Sequence, residues 1–184
     1  MPSAGNEFFK LLNRHINAQD YDLIACGKDA PTRQEIEEFA SEFSVTLPDD
    51  FIRFSISSLG GLYVAVKEEI WPRPREFEVG PFWTFLFGLW VYGFAEGIPP
   101  FMDIRTQTRE FRNRFGSDLT PCLKIAGDAN AYCFDSAGVL RRIDHDLQQH
   151  EPTRKSFLEA LEFELGELAA RKARRAAMQD EPNP

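Results

Sequence analysis

Only three histidines and three cysteines occur in the 184 residues, and that scarcity excludes several kinds of chemistry at once. Cys26, Cys122 and Cys133 cannot all pair with one another, and they lack the CxxC spacing of a zinc site or redox motif, so reduced cytosolic thiols are expected. Cys122 and Cys133 fall in strand-like runs, where a thiol behaves as a small apolar group, and no cluster of histidine and basic residues stands near to lower a thiol pKa. Glycines 60, 61, 127 and 138 form neither a GxGxxG nor a Walker pattern and read as turn residues. An excess of positive charge is missing too. Against 29 Asp and Glu there are 21 Lys and Arg, a net charge of −8, which argues against sequence-independent nucleic-acid binding and makes a basic partner the natural complement. No hydrophobic run is long enough for a membrane: the charge-free stretch 79 to 95 is short and rich in glycine. The first seven residues lack a basic n-region and an apolar h-region, so a cytoplasmic location is expected.

The remaining route to a metal or acid/base site is Asp144, His145 and Asp146, together with His150 or His15. Neighbours on a strand point to opposite faces, so Asp144 and Asp146 share a face that His145 does not. That is poor ligand geometry. No catalytic residue, metal or cofactor is therefore assigned, and a metal-dependent enzyme built on this segment is the least favoured reading.

Periodicity outlines the elements that are there. Phe8, Leu11, Leu12, His15 and Ile16 recur at helical spacing over residues 6 to 17, followed by a polar connector through Gly27. Thr32 with Glu35 forms a capping box, and Ile36, Phe39, Ala40 and Phe43 supply the apolar stripe of a helix over 32 to 44. Leu47 Pro48 Asp49 Asp50 Phe51 starts another helix, with proline at its first position and two aspartates at the positive end of its dipole. Gly60 and Gly61 end it and turn the chain into a strand over 62 to 66. A further strand over 75 to 79 and an aromatic run over 82 to 94 follow, the run cut by glycines into short pieces. Helical spacing resumes from Ile104 to Phe115, with Gly116 as its expected cap. Strands over 119 to 126, 131 to 134 and 139 to 143 are separated by two good turn sequences, which makes an antiparallel meander. Ser156 and Glu159 then cap a last helix with Phe157, Leu161, Leu165 and Leu168 on one side.

The order of these parts resembles the SUKH superfamily, the fold shared by the Syd protein, the yeast cell-wall-synthesis regulators and many bacterial immunity proteins. The resemblance covers roughly residues 30 to 170. It rests on the start at Asp49 and Phe51, on Gly60 and Gly61, and on Asp135, Gly138 and His145 in the late strands. Two places depart from the family pattern: Leu59 stands where an asparagine commonly precedes the glycines, and Asp128 Ala129 Asn130 Ala131 replaces a glycine-rich turn. The expected fold is α+β, an antiparallel sheet of about five or six strands with helices packed on one face and at the edges. Three regions are expected: an N-terminal helical arm (1–29), a SUKH-like domain (30–170) and a charged, disordered tail (171–184).

The resemblance implies a non-enzymatic binding module, in particular an immunity protein that neutralises a cognate bacterial toxin, often a nuclease. A regulatory adaptor with a host-protein partner is the alternative. The surface expected to bind is the acidic and aromatic stretch that least resembles the family: Glu68, Glu69, Trp71, Glu76, Glu78, Trp83 and Trp90. Its acids would draw in a basic partner and its rings would anchor it. Core packing is the favoured reading of the aromatic run 82 to 94 as a whole, with Trp71, Trp83 and Trp90 the rings expected to reach its edge.

Overall fold

Each strand of the central sheet pairs with the strand that follows it in the chain, so the whole sheet is one antiparallel meander. The structure is a computed structural model and describes residues 5–25, 29–74, 81–115, 118–144 and 149–180. In chain order it contains α1 (Gly5–Asn13), β1 (Tyr21–Ile24), α2 (Arg33–Glu42), α3 (Asp49–Ser55), β2 (Tyr63–Val66), a 3-10 turn (Phe82–Phe85) and β3 (Gly88–Val91). Then follow α4 (Ile104–Phe115), β4 (Thr120–Ile125), β5 (Ala131–Phe134), β6 (Leu140–Asp144), β7 (Gln149–Pro152) and α5 (Phe157–Asp180). The class is α+β, and the sheet has seven strands among the described residues rather than five or six. No helix among them is long and apolar enough to cross a membrane.

The register assigns every strand residue to a face. Leu23, Val64, Leu89, Ile125, Tyr132 and Phe134 follow one another across the first face, while Ile24, Tyr63, Trp90, Lys124, Ala131 and Ile143 follow across the second. Pro121 is tolerated inside β4 because the ladder there is interrupted by a register shift between Pro121 and Leu123.

The first face carries the main core. Phe51 is fully buried at its centre, edge-on to Phe134 at 5.1 Å and to Phe157 at 5.0 Å, and Phe54 links the same cluster to Phe8 at 5.3 Å. Such edge-to-face pairs add about 1 kcal/mol each to the burial of the rings. The N-terminal segment expected as an arm belongs to this core: Phe8, Leu11, Leu12 and Ile16 are buried, α1 packs on α5, and β1 is the edge strand of the sheet. Helix α5 also continues through Asp180, so residues 171 to 180 extend it.

Helices are not confined to one face. Phe111 and Phe115 of α4 pack on Leu119, Ala131, Cys133 and Ile143, which is the second face over β4 to β6. The second face over β1 to β3 has no helix of the described residues on it.

Local chemistry explains the helix ends. The Thr32 hydroxyl accepts the Glu35 N–H at 3.2 Å, and the Glu35 carboxylate accepts the Thr32 N–H at 2.7 Å. Ser156 and Glu159 repeat this arrangement at α5. Pro48 is the N-cap of α3 rather than its first residue. Asp50 has a double use: one carboxylate oxygen accepts the Phe51 N–H at 2.9 Å and the other the Leu158 N–H at 3.1 Å, tying the starts of α3 and α5 together. The expected strand at 75 to 79 and the Gly116 cap lie outside the described residues.

Candidate functional site

The aromatic run divides into a solvent half and a core half. Tyr92 and Phe94 are buried, Phe94 against Phe39 at 5.1 Å, whereas Phe82 and Trp83 on the 3-10 turn are 58% and 59% exposed. Trp71, expected as a partner anchor, is only 2% exposed. Its indole N–H donates to the Thr84 carbonyl at 3.0 Å and the Arg175 guanidinium lies 5.0 Å over its ring, so it is a core residue that pins the Phe82–Phe85 turn. Trp71 can stay buried because the turn supplies the acceptor that a buried indole N–H needs.

Glu68 and Glu69 are exposed in the turn that leaves β2. The antiparallel pairing of β2 with β3 brings that turn and Trp83 to the same end of the sheet. Trp90 is elsewhere: it sits half-buried on the second face, edge-on to Phe101 at 5.5 Å. Of the expected set the fold thus gathers Glu68, Glu69 and Trp83, separates Trp90 from them and buries Trp71. Glu76 and Glu78 lie outside the described residues.

A second surface had no signal in the sequence. On the open half of the second face, Ile24, Tyr63, Ile98 and Phe101 line a groove of about 380 Å³ together with other residues of the segment 95 to 99. Ile24 is 64% exposed and Phe101 48%. Acids stand around this groove: Asp29 and Glu96 line it, and Asp22 precedes it on the same face of β1. Burial raises the Tyr63 hydroxyl pKa against the pull of Arg73, and the Asp22 carboxylate adds to the rise. The groove is assembled from residues near 24, 63 and 98, so no local pattern announces it.

The titratable groups inside the fold have structural partners. Tyr132 O–H donates to Glu164 Oε1 at 2.8 Å beneath α5, and burial pushes the Glu164 carboxyl above its ordinary range despite that bond and the nearby Arg142 and Arg171. Cys122 and Cys133 are buried and free, and burial pushes both thiols up, so neither supplies a thiolate at neutral pH. The Cys122 thiol donates to the Tyr132 carbonyl at 3.3 Å. Lys124 donates to the carbonyls of Asp128 and Asn130. Among the described residues no three His, Cys, Asp or Glu side chains are grouped to hold a metal ion. Cys26, His145 and Asp146 lie outside those residues.

Comparison with known proteins finds no family model and no curated protein that matches the chain.

Proposed function

We propose that the chain is a non-enzymatic binding protein of the SUKH type, acting in the cytoplasm as an immunity protein that binds and neutralises a basic bacterial toxin, most often a nuclease in that family. The observation that carries this reading is that two solvent-exposed rings, Phe82 and Trp83, and two exposed acids, Glu68 and Glu69, lie at one end of the sheet of an acidic chain. Large aromatic side chains are expensive to leave in water and are the commonest anchors of protein interfaces. An acidic surface steers a basic nuclease toward it and can occupy the site where the nuclease would hold nucleic acid. Further support comes from the acidic start of α3, the two glycines that end its turn, and the late meander.

The test is co-expression with the protein encoded beside this chain's gene, scoring growth and co-purification. Wild-type protein is expected to restore growth and to co-purify with the toxin. A folded Glu68→Lys, Glu69→Lys double variant is expected to lose both. No rescue by the wild type refutes the immunity reading, and full rescue by the double variant refutes the acidic surface.

A further inference from the structure

The edge strand β1 is only partly protected against pairing with another chain. Its short length and the exposed charge of Asp22 discourage such pairing, yet β1 also exposes Leu23 and Ile24. The phase of its pairing is set by the Lys67 N–H, which donates to the Asp20 carbonyl at 2.8 Å. Asp22 and Ile24 therefore turn their backbone groups toward β2, and Leu23 turns its N–H and C=O outward to the open edge. Beside this edge, on the second face, lies the apolar groove that Ile24, Tyr63 and Phe101 line.

We propose that β1 and this groove form a docking site for an extended, basic segment of a partner protein, which adds as a strand at Leu23 and lays an apolar side chain beside Ile24. The proposal goes beyond the function given above, since it concerns the other end of the sheet and holds whether or not the partner is a toxin.

Charge selects the occupant. Asp22, Asp29 and Glu96 surround the groove, and among the described residues none of them is in an ion pair. Among the described residues no lysine or arginine lines it. The nearby guanidiniums are engaged elsewhere: Arg73 donates to the Trp71 and Val66 carbonyls and covers the Phe87 ring, and Arg105 donates to the Phe94 carbonyl. A lysine or arginine two residues either side of the apolar anchor would point to the same face as that anchor and meet these carboxylates. A second copy of this chain fits less well, because it would bring the same three acids to the contact.

The probe is a capped heptapeptide of alternating threonines with lysine, leucine and lysine at the three positions between them, titrated into the isotope-labelled full chain and followed by amide NMR shifts. Saturable shifts are expected at Leu23, Ile24, Tyr63, Gly97 and Ile98. A peptide with glutamates in place of the lysines should leave these signals unmoved. Glu96→Lys is expected to weaken the lysine peptide about fivefold or more, since it removes one attraction and adds one repulsion. Asp29→Lys serves as a second variant, each checked for wild-type signal dispersion. The proposal is overturned by equal binding of the acidic peptide, by shifts confined to Phe82 and Trp83, by shifts that follow protein concentration rather than peptide, or by no saturable shift at about 5 mM peptide. Growth rescue is read separately, so the two proposals fail independently.

Discussion

Gly60→Ala should be among the most damaging single-methyl changes in this chain, and the reason is geometric. A Cβ built on Gly60 would stand 2.2 Å from the Ser55 carbonyl oxygen and 2.9 Å from its carbon. Both are backbone atoms of the last residue of α3, so no rotamer change relieves the contact. Retreat is blocked on the other side: Gly61 holds a φ of +68°, and Gly93 comes so close that a Cβ there would meet the Gly61 Cα at 2.5 Å. Overpacking a closed site costs about 1–3 kcal/mol, and a clash with backbone that has little room to retreat belongs at the upper end, about 3 kcal/mol. Gly97→Ala is the control. Its φ is +78° but nothing lies within 4 Å of its Cβ, so the penalty is the left-handed conformation alone, about 1 kcal/mol, partly offset by the reduced entropy of the unfolded chain. Urea unfolding followed by far-UV circular dichroism compares the two. With a slope of about 2 kcal/mol per molar urea, Gly60→Ala should lower the midpoint by about 1.5 M and Gly97→Ala by about 0.5 M or less. A midpoint for Gly60→Ala equal to or above that of Gly97→Ala would refute the reasoning.

Trp71→Phe removes an indole bonded to Thr84 and leaves part of its space empty, and should cost about 2 kcal/mol in the same assay, whereas the exposed Trp83→Ala should stay within about 0.5 kcal/mol of wild type. Asp50→Ala unties the starts of α3 and α5 together and should cost about 1–2 kcal/mol, seen as a lower thermal midpoint. Glu164 has a raised pKa in the folded chain, so the unfolded chain releases its proton first and stability falls as pH rises from the ordinary glutamate value of 4.5 toward the folded value. Glu164→Gln removes that ionisation and still accepts from Tyr132, so urea midpoints measured across acidic to neutral pH should show the variant gaining on wild type as pH rises; a gain that is the same at every pH contradicts this.

Elements specified by local chemistry were readable in the residues alone. The Thr32 and Ser156 caps, the strand at 131 to 134 and the turn at Asp135 to Gly138 each depend on neighbours in sequence, and each forms where expected. What failed to show depends on tertiary pairing. Strand β7 consists of Gln149–Pro152 with all four residues exposed, and its extended shape comes from pairing with β6 rather than from any alternation of its own. Strand β1 buries only Tyr21, so its pattern matches a polar connector. The expected sheet was short by such edge strands. The candidate surface divided for the same reason: exposure of Glu68, Glu69 and Trp83 follows from the turns that hold them, but Trp71 is buried by a distant carbonyl and by α5, which no local spacing records.

The most direct measurement is a calorimetric titration of the purified chain into the purified protein encoded beside its gene. The account predicts a 1:1 complex whose affinity falls as salt is raised, loss of the toxin's activity at equivalence, and at least about tenfold weaker binding by Trp83→Ala while the chain remains folded. No complex with the wild-type chain, or one indifferent to both salt and Trp83, would contradict it.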